Sequence, residues 1–299
     1  MRRPLRVAAI ILASLAGVLL LVVGGVYGMS GAQMRRTWPL PPPTVFDVPS
    51  DSVSIERGRH LVRAVLNCAE CHGDDLGGEE VDAGPIGVMS TPNLTVGNGG
   101  LAAGFAVGDW VRALRYGVRR DGTSLLIMPS ETYTYLTDAD LAAVIAYLRH
   151  APPVDRQLPP TRLRLLGRAL LAAGRLPLLV APKTATDVPR SPVPPGVTVE
   201  YGRYLANVSG CRGCHGLNLS GGFVAGPPGT PEASNLTPVG IESWTEEDFF
   251  RALRQGVRPD GSAIDEFMPW RYLAGMTDDE LRAILMYLRT VPPLATGNR

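Results

Sequence analysis

The sequence predicts an all-α chain, an N-terminal transmembrane helix followed by two tandem copies of one small helical domain with long loops. Three observations support this. The 299-residue chain opens with a long apolar run. A set of motifs recurs in order at an offset of roughly 140 residues. Within each copy, apolar residues recur at helical spacing, while strand alternation is weak throughout.

The first element begins Met-Arg-Arg-Pro-Leu-Arg and then carries no charge from Val7 to Met34. A helix over Val7–Gly28 would be about 33 Å long, enough to span the hydrocarbon core of a bilayer. That exceeds the roughly 7–15 apolar residues of an ordinary signal peptide. Residues 1–34 are therefore read as a membrane anchor, with cleavage at Ser30-Gly31-Ala32 as the competing reading. In either case the body is exported. Arg2, Arg3 and Arg6 favour an N-terminus on the cytoplasmic side of the cytoplasmic membrane and the domains on its outer, periplasmic side, against the opposing pull of Arg35 and Arg36.

The two domains are read as residues 45–155 and 196–299. Gly58-Arg59-x-Leu61 recurs as Gly202-Arg203-x-Leu205, and Asn93-Leu94-Thr95 as Asn235-Leu236-Thr237. The string from Arg112 to Gly122 matches that from Arg251 to Gly261, and Met128-Pro129 matches Met268-Pro269. Helices are expected over about 107–116 and 246–255, where Trp110, Val111, Leu114 and Phe249, Phe250, Leu253 share a face. A final helix in each copy starts at an N-capping Thr137 or Thr277, has acids in its first turn and stops before Pro152-Pro153 or Pro292-Pro293.

All four cysteines fall in C-x-x-C-H strings, Cys68 to His72 and Cys211 to His215. This is the attachment pattern of c-type haem: two thiols add across the porphyrin vinyl groups, and the adjacent histidine ligates iron. A structural zinc site would need four nitrogen or sulfur ligands, and the second copy offers only Cys211, Cys214 and His215. Two covalent haems c are expected, on Cys68 and Cys71 and on Cys211 and Cys214, with His72 and His215 as proximal ligands.

The sixth ligand follows from recurrence. The other two histidines, His60 and His150, lie in the first copy where the second has Tyr204 and Thr290. Met128 follows His72 by 56 residues and Met268 follows His215 by 53, each before a proline. Met89, Met276 and Met286 have no mate in the other copy, so Met128 and Met268 are expected to ligate iron. A proximal histidine usually donates its second ring N–H to an acceptor. Gly84-Pro85 and Gly226-Pro227 follow each histidine at the right distance to offer one. Arg112, Arg115, Arg251 and Arg254 are either partners of haem propionates or ordinary exposed helix arginines.

Residues 156–195 form a basic, proline-rich linker with seven basic residues and one acid. Arg162, Arg164, Arg168 and Arg175 alternate with leucines. One reading is an amphipathic segment on the membrane surface; the other is a linker packed across the domains, favoured by Gly174 and Pro177. The net charge of +1 hides opposites: residues 45–155 carry 8 basic and 15 acidic side chains, and residues 196–299 carry 9 and 12. Basic charge sits beside the apolar run and acidic charge on the domains, which argues against a nucleic acid partner.

The motif order resembles class I cytochrome c domains, especially the cytochrome c subunits of membrane-bound alcohol, aldehyde and gluconate dehydrogenases. The resemblance covers about residues 50–155 and 196–295 and implies all-helical, His/Met-ligated domains that pass electrons from a dehydrogenase towards quinone or an oxidase. Those subunits generally carry three haem domains, and two stand here. The function read from this is electron transfer between a respiratory or photosynthetic donor and its acceptor, with no catalysis of the chain's own. The expected partners are a dehydrogenase or quinol-oxidising donor and an oxidase or cytochrome acceptor. The alternative is an electron-transfer subunit of a membrane-bound dehydrogenase complex; a dihaem peroxidase is less favoured, because it needs an iron open to substrate.

Overall fold

The computed structural model describes residues 2–40, 46–224, 226 and 229–298. The first element, α1 (Arg2–Arg35), is one unbroken helix of 34 residues, about 51 Å long. It is long and apolar enough to cross a membrane, and no residue of its most apolar window is buried by the rest of the chain. The helix runs past the expected stretch because its last two turns pack on the protein, where Ser30 is fully buried. Beyond it, Trp38 N donates to the Gly122 carbonyl at 3.0 Å.

The first copy comprises α2 (Ser52–His60) with a π turn at Leu61–Val65, α3 (Cys68–His72), α4 (Val107–Tyr116), α5 (Ser130–Tyr133) and α6 (Asp138–His150). The linker contributes α7 (Leu165–Ala172). The second copy repeats the order as α8 (Val199–Val208), α9 (Cys211–His215), α10 (Pro238–Ile241), α11 (Glu246–Gln255), α12 (Trp270–Leu273) and α13 (Asp278–Leu288). The capping expectations hold: Thr137 and Thr277 accept from the backbone N–H of Asp140 and Glu280 at 3.1 and 3.2 Å.

Strand content is small but present. β1 (Glu80–Asp82) and β2 (Gly87–Ser90) form an antiparallel hairpin in the first copy, and β3 (Arg162–Leu163) of the linker pairs with β2. The linker thus lies on the first domain. It continues along the Met128 loop, where Ile127 N donates to Leu178 O at 3.0 Å and Val180 N to Leu125 O at 3.1 Å.

Each domain is framed by a crossing of its first and last helices, α2 on α6 and α8 on α13. The recurring glycines make the crossing possible. A Cβ built on Gly58 would lie 1.9 Å from the Ala143 carbonyl oxygen, and one on Gly202 would lie 1.8 Å from that of Ala283. The domains meet through these same helices in a pseudo-two-fold arrangement. Tyr204 OH donates to Asp140 at 2.6 Å, while in the reciprocal place His60 Nε2 lies 2.7 Å from Glu280. Arg57 holds Asp140 at 3.0 Å within its own domain and reaches Glu280 at 3.4 Å across the interface.

Candidate haem centres

Each C-x-x-C-H string is a short helix launched by a residue in the left-handed region, Asn67 (φ 52°) before α3 and Gly210 (φ 85°) before α9. One turn of helix therefore carries both thiols and the histidine. Burial pushes the Cys68 thiol up to about 12 and raises those of Cys71 and Cys211. These are not the acidic thiolates of a C-x-x-C exchange centre.

The rings of His72 and His215 are 8% and 7% exposed, and burial disfavours the charged form of His72. His72 Nδ1 lies 2.8 Å from the Pro92 carbonyl oxygen and His215 Nδ1 lies 2.7 Å from that of Ser234. A carbonyl only accepts, so Nδ1 carries the proton and Nε2 keeps its lone pair for a metal.

That acceptor corrects one expectation. Gly84-Pro85 does not serve His72, because Gly84–Ile86 forms a 3₁₀ turn in the β1–β2 hairpin that faces α7. There Arg164 N donates to Ile86 O at 2.9 Å and the Arg164 side chain to Gly84 O. Pro227 lies outside the described residues, and Ser234 supplies the carbonyl for His215.

The true acceptors each immediately precede an Asn-Leu-Thr motif, whose recurrence this explains. Asn93 accepts from Thr95 N and Oγ1 at 2.9 and 2.8 Å, and its Nδ2 donates to Val154 O at 2.6 Å. Asn235 does the same with Thr237 and with Leu294 O at 2.8 Å. The asparagine thus clamps the carbonyl loop to the chain leaving the last helix. Sequence reasoning noted the motif but assigned it no role.

Met128 and Met268 are partly buried against the core, each in the loop between the α4 or α11 helix and a short helix. Two of the arginines considered as propionate partners tie α4 and α11 to the turns that follow the short helices, between α5 and α6 and between α12 and α13. Arg115, fully buried, donates to Leu136 O at 2.9 Å and Asp138 at 2.6 Å. Arg254 donates to Ala274 O, Met276 O and Asp278 at 2.8, 3.0 and 2.6 Å. Among the described residues, buried Trp110 Nε1, Trp270 Nε1, Arg251 Nε and the Nε and Nη1 of Arg115 have no protein acceptor, which leaves donors for anionic groups of a bound cofactor.

The interface brings the two centres together. Thr132, just past Met128, lies 3.8 Å from a Cβ built on Gly210, and a Cβ on Gly275 would lie 3.0 Å from that of Ala64. The methionine side of each copy meets the cysteine side of the other. Residues 53–148 match the family described as cytochrome c oxidase, cbb3-type, subunit III, and residues 199–292 match cytochrome c.

The chain carries two cytochrome c domains. It is 28% identical over 276 residues to the cytochrome c subunit of a quinone alcohol dehydrogenase of Komagataeibacter europaeus, covering 82% of this chain and 57% of that one. It is also 28% identical over 279 residues to the fructose dehydrogenase cytochrome subunit of Gluconobacter japonicus, covering 82% and 54%. The chain thus spans a little over half the length of these relatives. A dihaem c-type cytochrome of Cereibacter sphaeroides is 27% identical over 250 residues, covering 76% and 82%. Two cytochrome c domains and a dihaem relative mean two covalently bound haems c and a role in electron transfer.

Proposed function

We propose that the protein is a membrane-anchored dihaem electron carrier working as the cytochrome subunit of a dehydrogenase complex, with no substrate reaction of its own. The observation that carries it is the duplicated proximal histidine, its Nδ1 held by a clamped carbonyl in both cytochrome c domains. The relatives named as cytochrome subunits of dehydrogenases favour the complex over a free carrier. Each bound haem supplies a one-electron iron couple.

In this reading Cys68, Cys71, Cys211 and Cys214 hold the haems covalently. His72 and His215 ligate one face of each iron, and Met128 and Met268 close the other. Closed irons leave outer-sphere transfer as the available chemistry, and the contact between the domains suits transfer from one haem to the other. The α1 helix is a retained anchor with its N-terminus inside and the haem domains outside. A dehydrogenase or quinol-oxidising donor reduces the protein, and an oxidase or cytochrome acceptor reoxidises it.

Ligation is tested by the weak far-red charge-transfer band of methionine-ligated ferric haem. Met268→Ala and Met128→Ala should each abolish about half of it. Retention of the whole band in either variant refutes that ligand.

A further inference from the structure

Neither haem site uses α7, and its polarity is the reverse of an ordinary surface helix. On a globular domain the outward side of a helix carries the charges. Here Leu165 and Leu166 are 45% and 47% exposed, while the helix's single charge, Arg168, turns inward. The Arg168 guanidinium stacks 4.7 Å over the Tyr27 ring of α1 and donates to Ser30 Oγ at 3.2 Å. The inner side is clamped to the first domain. Leu171 is buried, and a Cβ on Gly167 would come 2.1 Å from the Ile86 carbonyl oxygen. The exposed leucines are therefore held in place by close packing on two sides.

The height of α7 on α1 identifies what covers them. Twenty residues separate Val7 from Tyr27, a rise of about 30 Å, which is the thickness of a hydrocarbon core. Tyr27 then stands where the helix leaves the acyl region, and α7 packs at that level. Below it Val18, Leu19 and Val22 are 59%, 63% and 58% exposed, so the apolar surface continues from α1. At either end of α7 stand exposed arginines. Arg164 is paired with Asp82 at 2.6 Å; Arg162 and Arg175 have no ion pair among the described residues.

We propose that α7 is an interfacial helix that seats the first cytochrome c domain on the membrane, with Leu165 and Leu166 in the boundary between headgroups and acyl chains and Arg162 and Arg175 on the phosphates of anionic lipids. An apolar side flanked by arginines at the exit of a spanning helix suits an anionic lipid surface. The inference rests on the reading of α1 as a retained anchor.

The test uses the full-length, haem-loaded protein in nanodiscs of phosphatidylcholine and phosphatidylglycerol, with the native cysteines consumed by haem. Spin labels are placed singly at Leu166→Cys, at Leu19→Cys in α1 and at Val239→Cys on the far domain, where Val239 is 59% exposed. The Leu166 label should collide with oxygen in preference to a water-soluble nickel chelate, at a ratio about tenfold above that at Val239. Arg162→Glu with Arg175→Glu should lower that ratio severalfold in anionic discs and leave it unchanged in purely zwitterionic ones. A Leu166 label as open to nickel as Val239, with Leu19 in hydrocarbon, overturns the proposal and leaves the anchor standing. A Leu166 label shielded from both reagents also overturns it, in favour of a protein partner. A Leu19 label open to nickel overturns both readings.

Discussion

Glu280 is 4% exposed and stands where the two domains meet, bonded by His60 at 2.7 Å, by Tyr201 at 3.3 Å and by Arg57 at 3.4 Å. Burial alone would raise its carboxyl, yet the His60 hydrogen bond, the Thr277 backbone N–H and the Arg57 charge hold it below the ordinary 4.5. A lowered folded value means that the carboxylate's contribution is complete above about pH 4.5 and disappears as pH falls through that lower value. Glu280→Gln is therefore expected to be less stable near neutrality, by roughly 1–3 kcal/mol, and to converge on the parent protein as pH falls below the ordinary carboxylate value. Urea unfolding across that range checks it; a pH-independent difference would contradict the assignment. At this scale the thiols and the histidine beside them stood out because they form one contiguous string. The carbonyls that orient the histidines were not, because any residue can offer one. Only the recurrence of Asn93 and Asn235 marked the loops of Pro92 and Ser234, and a clamp made through backbone atoms has no side-chain signature. The replacement of His60 by Tyr204 in the second copy marked it only as a surface or packing residue, but both His60 and Tyr204 bond the other domain's acid.

Among the elements, the helix crossings carry the frame, and their glycines are sterically required. The ordinary helical φ of Gly202 rules out backbone strain as the reason for glycine; the 1.8 Å approach to Ala283 is the reason. Gly202→Ala must push α8 away from α13 and is expected to destabilise the second domain by at least the roughly 1–3 kcal/mol of an overpacked core. Denaturant unfolding followed at the haem absorption tests this, and an unchanged midpoint would show that the crossing can relax. One irregularity was also present in the numbering. Gly58 precedes Cys68 by ten residues, whereas Gly202 precedes Cys211 by nine. The first domain absorbs its extra residue as the π turn Leu61–Val65, where Leu66 N bonds Leu61 O at 2.8 Å, while α8 stays regular. A one-residue insertion in a helix makes such a bulge. The β1–β2 hairpin escaped sequence reading because three- and four-residue strands are too short to show alternation.

At the scale of the whole molecule the two cytochrome c domains are alike in frame and different in surroundings. The linker pairs with the backbone of the Met128 loop in the first, through Ile127 and Leu125, whereas the second presents Phe267, 43% exposed, beside Met268. Duplication was legible because whole motifs recur in order; the pseudo-two-fold docking was not, because its polar contacts use Arg57, His60, Tyr201 and Tyr204, which differ between the copies. The docking sets the two centres side by side, and the account holds that both irons are closed by methionine and exchange electrons without binding a substrate. Carbon monoxide decides this most directly, since it reaches ferrous iron only where a coordination position is open or a ligand leaves. Mixed with the fully reduced protein at neutral pH, it should bind slowly and incompletely at both haems. Rapid, stoichiometric binding at either haem would contradict the account and point to an enzyme with an open iron.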